Sequence, residues 1–128
     1  MTENQTEAPA YLASARVAFS SDGAELVAKI FGEIDHHSAR RLRDEIDMEV
    51  FRQLPRTLTL DLSGVGFMDS AGLGLILGRL NLMTGRMGVL RLSGLNPPVA
   101  RILSLAGVER LPGLKLPEPD RAQPAGAI

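Results

Sequence analysis

The sequence predicts a single α/β domain: a mixed β-sheet of four to five strands backed by three or more helices, in the order β-β-α-β-α-β-α-β. Three observations carry that prediction. From residue 25 onward, short strand-like runs alternate with segments of helical period, the pattern of parallel strands joined by helical crossovers. The first two strand-like runs have no helix between them, only the turn cluster Ser20-Ser21-Asp22-Gly23, so the sheet starts with an antiparallel hairpin. With 128 residues and 45% hydrophobic content, the chain is the right size for one core.

Residues 1–10 offer little to bury and are expected to be a flexible leader, with the domain over residues 11–112. Residues 12–19 and 25–31 are the hairpin strands. A helix follows over residues 38–54, where Ala39, Leu42, Ile46, Val50 and Leu54 recur at helical spacing, with Asp35 or Ser38 as its N-cap. Its charged face carries Arg40 with Asp44, Arg41 with Glu45 and Arg43 with Asp47, each spaced i,i+4. Pro55 ends it, because the residue before a proline is pushed out of the α region. Over residues 57–62 leucine alternates with Thr and Asp, which makes a strand covered on one face. A central helix starts near Ser70, and a strand follows over residues 89–92. Asn96 before Pro97 opens a third helix carrying Val99, Ile102, Leu103 and Ala106 and stopping at Gly107. A last strand is expected over residues 108–111. Residues 113–128, with Pro117, Pro119 and Pro124, read as an irregular tail.

The central helix is the unusual element. Leu73, Ile76, Leu77, Leu80, Met83 and Thr84 share one arc and suffice to face the sheet. The other side is not polar: Ala71, Gly74, Leu75, Gly78 and Leu82 lie there, relieved by Arg79 and Asn81. Either this is an exposed apolar patch for a partner, or the helix is buried on both sides against a neighbouring helix. Gly74 and Gly78 each cost roughly 0.5–1 kcal/mol relative to alanine, which asks for a closely approaching surface in return. Ser70, at the start of this helix, has two readings as well. Its hydroxyl can cap the first N–H groups, or it can carry a phosphoryl group, which the unpaired N–H groups and positive helix end would accommodate.

Other chemistry finds little support. Lys and Arg number 14 against 15 Asp and Glu, so no broad field recruits nucleic acid or an anionic membrane. There is no cysteine, which removes disulfides and thiolate chemistry. Neither a signal peptide nor a transmembrane stretch is recognisable, and a cytoplasmic location is expected. A serine hydrolase lacks its Gly-x-Ser-x-Gly elbow, since Met68-Asp69 precede Ser70. Gly78 falls one residue late for a dinucleotide fingerprint after Gly72 and Gly74. His36 and His37 are adjacent without further ligands, so no metal and no cofactor are expected.

The run Phe67-Met-Asp-Ser-Ala-Gly-Leu-Gly-Leu-Ile-Leu-Gly-Arg79, with Asp61-Leu-Ser-Gly-Val ahead of it and Gly32-Glu-Ile-Asp-His-His37 upstream, resembles the anti-sigma factor antagonists of the STAS domain family, most of all the sporulation antagonists. The resemblance spans about residues 17–111. It implies a STAS fold and a non-enzymatic switch: the unphosphorylated protein binds an anti-sigma factor serine kinase and releases a sigma factor, phosphorylation of Ser70 ends binding, and a serine phosphatase restores it. Asp35 matches an aspartate in the family's nucleotide- and partner-contacting region, which leaves a weak nucleotide contact open there. The expected partner-binding set is Asp35, Met68, Asp69, Gly72, Leu73, Gly74, Leu75, Gly78, Arg79 and Leu82. A constitutive STAS scaffold subunit of a stress-signalling complex, with no phosphoswitch, is the alternative. Two departures from the family pattern stand out. Ala71 replaces a second serine after the acceptor, and the Pro-rich tail stands where a closing helix is usual.

Overall fold

A computed structural model describes residues 15–117. The expected leader and most of the expected tail lie outside the described residues. The elements are β1 (Arg16–Asp22), β2 (Glu25–Ile34), α1 (His36–Gln53), β3 (Thr57–Met68), α2 (Ser70–Gly85), β4 (Val89–Ser93), α3 (Pro97–Leu105), a 3-10 turn (Val108–Arg110) and β5 (Leu114–Lys115). They form one five-stranded mixed sheet in the spatial order β1-β2-β3-β4-β5. β1 and β2 are antiparallel, and every later pair is parallel. The predicted order and the hairpin followed by crossovers are what the chain adopts.

The core lies where the helices meet the leucine face of the sheet. Leu58, Leu60 and Leu62 of β3 are fully buried, as are Leu26, Ala28 and Ile30 of β2 and Leu90 and Leu92 of β4. Against them pack Leu42, Ile46 and Val50 of α1 and Ile76, Leu80 and Met83 of α2. Emptying one such position by truncation to alanine costs roughly 2–5 kcal/mol. Alternate residues on the far side of the strands are polar: Thr59 is hydrogen-bonded to Glu25, and Arg91 lies 3.5 Å from the same carboxylate. The face expected to be less covered is thus polar and cross-linked, as alternation requires.

Several boundaries differ from expectation: β2 runs on to Ile34 and β3 to Met68, beyond the expected 31 and 62, and α1 starts at His36 rather than Ser38. The hairpin turns at Gly23, whose φ of +63° suits glycine, so Ser20, Ser21 and Asp22 remain in β1. Leu54 is not part of the core stripe: α1 stops at Gln53, Leu54 takes the left-handed conformation as C-cap (φ 52°), and its side chain turns out to 63% exposure. The expected last strand over 108–111 is instead the 3-10 turn with Val108 buried. The edge strand forms later, at Leu114–Lys115, where Leu90 pairs with Leu114 and Arg91 with Lys115. That strand falls inside the segment expected to be an irregular tail.

What positions the site is the length of β2 and β3. Past their regular ladder, two register shifts, between Lys29 and Phe31 and between Gly32 and Glu33, carry the pairing on to Ile34 opposite Met68. The next residues are Asp35 and Asp69, the N-caps of α1 and α2. Asp69 N–H donates to the Ile34 carbonyl at 3.1 Å. Two helix N-termini are therefore set side by side at the C-terminal ends of two parallel strands, the place where open α/β sheets gather their functional groups.

Candidate functional site

At the start of α1, Asp35 and Ser38 both take part in capping, in different roles. Asp35 Oδ1 accepts the N–H groups of His37 at 3.0 Å and Ser38 at 2.9 Å, while Ser38 Oγ accepts Asp35 N–H at 3.0 Å. This is a complete capping box. The Ser38 N–H bond above all lowers the Asp35 pKa below the usual aspartate value; desolvation opposes it, and the Ser38 hydroxyl and His37 add to the lowering. His36 and His37 are exposed beside it, their rings 4.0 Å apart. Among the described residues no group of three His, Asp or Glu side chains is placed to hold a metal ion.

At the start of α2 the cap is Asp69, whose side chain accepts Ala71 N–H at 2.7 Å. Ser70 is therefore the first residue of the helix rather than its cap. It is exposed, and among the described residues its hydroxyl has no hydrogen-bond partner. Capping, the bland explanation for a serine here, is already supplied by its neighbour. The hydroxyl stands free at the positive end of a 16-residue helix, whose dipole favours an added anion even though the Ala71, Gly72 and Leu73 N–H groups already donate to Asp69.

The expected partner set divides on burial. Asp35 and Asp69 are half-buried beside Ser70, Leu73, Gly78 and Leu82 are half-buried along α2, and Gly74 is exposed. Met68, Gly72, Leu75 and Arg79 are buried, so the picture of them as an open apolar dock is corrected. Gly72 has an internal reason to be glycine, because a Cβ there would lie 2.6 Å from Met68 Cβ. Leu75 and Arg79 are covered because α1 packs alongside α2. Arg79 Nε lies 2.8 Å from Asp47 Oδ1, without the alignment of a hydrogen bond, and only 7% of its side chain is exposed. Burial lowers the Arg79 pKa and raises that of Asp47, with the ion pair opposing both shifts. Arg43, expected to meet Asp47, pairs with Asp44 at 3.1 Å instead.

The helix is thus buried on two sides, and what remains open is a cleft of about 350 Å³ between α1 and α2. Ala39, Arg40 and Arg43 line it from α1, and Ala71, Gly74 and Gly78 from α2, with Leu75 and Arg79 at its base. Sequence reasoning missed Arg40 and Arg43 as site residues, although their i,i+3 spacing places them on one face of α1.

Fold and site together define a small binding domain of the α/β class, with a free serine at a helix start and a cleft beside it. The sequence pattern of the STAS domain matches residues 17–119, and the chain belongs to that family. It is 36% identical over 86 residues to an anti-sigma F factor antagonist of Paenibacillus polymyxa, covering 67% of this chain and 74% of the relative. Its fold superposes on the unphosphorylated form of the anti-sigma factor antagonist SpoIIAA with a TM-score of 0.64 at 25% identity, over 84% of this chain and 92% of that one. The phosphorylated form of the Bacillus cell fate determinant SpoIIAA gives 0.63 at 25% identity, over 84% and 96%. No helix among the described residues is long and apolar enough to cross a membrane.

Proposed function

We propose that this chain is a cytoplasmic anti-sigma factor antagonist working as a phosphorylation-controlled binding module. The unphosphorylated form binds an anti-sigma factor serine kinase and so releases a sigma factor for transcription. Transfer of the γ-phosphoryl group of ATP to Ser70 Oγ ends that binding, and a serine phosphatase hydrolyses the phosphoester to restore it. The observation that carries this reading is the Ser70 hydroxyl: exposed, at the first position of α2, and relieved of capping by Asp69. The names of the relatives and the two solved states of SpoIIAA support it.

The physics of the switch is local. A phosphoryl group adds roughly −1.5 to −2 charges. The fold tolerates it, because among the described residues the Ser70 hydroxyl makes no hydrogen bond that must break and the helix dipole favours the charge. A partner surface shaped for a neutral hydroxyl does not, because the added charge then meets it directly beside the Asp69 carboxylate that caps the same helix. The test incubates the protein with candidate kinases and ATP and maps the phosphate by mass spectrometry. Phosphate on Ser70, with loss of kinase binding, is the expected result. An unmodified Ser70 with every partner that binds overturns the switch in favour of a constitutive scaffold.

A further inference from the structure

Asn96 stands at the N-cap position of α3, yet its side chain makes no capping bond. The cause is the pair that follows it: Pro97 and Pro98 have no N–H at the first two helical positions, so a capping oxygen finds no donor there. The carboxamide turns the other way. Its Nδ2 donates to the Val65 carbonyl at 2.7 Å and to the Ser63 carbonyl at 3.3 Å, both in β3. That edge of β3 needs donors. Its pairing with β4 ends at Asp61 opposite Ser93, while the strand runs on to Met68. Alternate carbonyls of a strand point to the same edge, so Ser63 and Val65 both face the side that β4 has left.

On the opposite edge of the same stretch, the pairing with β2 is broken by two register shifts. The stretch itself, Ser63-Gly64-Val65-Gly66, carries two glycines and offers little stiffness of its own. Among the described residues the Asn96 amide therefore stands in for the missing strand. The loop that delivers it is shaped for close approach. Gly94 takes a φ of +69°, and a Cβ there would lie 2.7 Å from Ser63 Cβ and 2.8 Å from Asp61 Oδ1, the oxygen that accepts Ser63 N–H at 3.0 Å. The stretch so held leads through the buried Met68 to Asp69 and Ser70. We propose that Asn96 is a positioning residue for the phosphorylation switch: by replacing a strand partner on the open edge of β3, it fixes where the start of α2 presents the Ser70 hydroxyl. It acts through the strand. That Ser70 is the acceptor rests on the proposed function. A capping role alone would make Asn96 interchangeable with Asp or Ser, which head helices as well as Asn does.

The test compares two substitutions. Asn96→Asp keeps the size and the cap preference and loses the donor; Asn96→Ser keeps the cap preference and one O–H donor on a shorter side chain. Amide hydrogen exchange is read first, in the protein alone. Asn96→Asp should speed exchange of Asp69 N–H, which donates to the Ile34 carbonyl, and of Gly72 N–H, which donates to the Asp69 carbonyl, by about tenfold, while Leu60 in the regular ladder and Ile46 in α1 keep their rates. The second readout is phosphoryl transfer from ATP to Ser70 by the kinase that modifies the wild type. Here kcat should fall by about 10–100-fold with KM nearly unchanged, because a displaced hydroxyl is misaligned for transfer while the docking surface is kept. Asn96→Ser should lie between the wild type and Asn96→Asp in both readouts. Unchanged or uniformly faster exchange, an unchanged kcat, or a loss confined to KM overturns the assignment. If Asn96→Asp does not fold, Asn96→Ser against the wild type carries the same comparison. A wild type that no kinase phosphorylates sinks the switch and leaves the hold of Asn96 on β3 to be decided by exchange alone.

Discussion

α1 and α2 start side by side at the ends of neighbouring strands, each behind an aspartate cap, and each has a serine in its first turn. In α1 the serine is three residues after the aspartate; in α2 it follows directly. That spacing decides what each hydroxyl does. Ser38, at the third helical position, is buried and its oxygen accepts the N–H of its own cap. Ser70, at the first, points past the end of the ladder into solvent with nothing to hold. One serine is a structural part and the other is available for chemistry, although residue type, cap and strand context are nearly the same. The helices they open differ in kind as well. α1 is amphipathic, with a buried stripe and a charged outer face, whereas α2 is apolar on almost every side and is joined to α1 by the Arg79–Asp47 contact.

The largest expected effect comes from breaking that joint. Asp47→Ala leaves the Arg79 guanidinium buried without its counter-charge, and should cost about 3 kcal/mol in urea denaturation. Replacing both partners, Asp47→Leu with Arg79→Met, should recover most of that loss, because burying the charges is itself costly. A double variant as unstable as Asp47→Ala would mean that the pair stabilises α1 against α2 in a way packing cannot replace.

Next in size is the contrast between the serines themselves. Ser70→Glu should weaken binding to the anti-sigma factor kinase by about 100-fold or more, since like charges set against an interface cost several kcal/mol. Its far-UV spectrum and melting should stay near those of the wild type. Ser38→Ala should do the reverse. Binding is kept, while stability falls by about 1 kcal/mol as the capping box loses one arm. If Ser70→Glu destabilised the fold as much as Ser38→Ala, Ser70 would be a structural residue after all.

Much of this contrast was legible before any coordinates. The strand, turn and helix around Ser70 followed from leucine alternation and the glycine-rich helical run, and α3 opens at Asn96 before Pro97 as expected, although the Asn96 side chain makes no cap bond and its amide donates instead to the Val65 carbonyl at 2.7 Å. Asp35 and Ser38 were both legible as candidates for one cap, although the sequence does not say that they would share it. The second covering of α2 was legible only as one of two alternatives. Periodicity shows which residues are apolar, but an apolar flank waiting for a partner and one already covered by α1 have the same spelling, so the sequence does not choose between an open and a buried Leu75. Local spacing likewise pairs Arg43 with Asp47, and only the third dimension offers Asp47 the nearer Arg79. At the C-terminal edge, Val108 is apolar enough for a strand. The left-handed Gly107 (φ 74°) instead starts a turn there, and Gly113 (φ 84°) delays the strand to Leu114.

The smallest expected effect is a pH dependence that belongs to α1 alone. The Asp35 pKa is lowered in the folded protein, chiefly by the Ser38 N–H bond, so the folded state holds the carboxylate more tightly than the unfolded chain does. For a depressed carboxylate, the stabilisation is fully present above the ordinary aspartate range and is lost as pH falls through that range toward the lowered folded value. The start of α1 should then loosen in mild acid. Asparagine caps a helix about as well as aspartate and does not titrate, so Asp35→Asn should keep most of the stability at neutral pH and flatten this part of the acid profile. An acid profile as steep in Asp35→Asn as in the wild type would place the acid sensitivity outside the cap of α1.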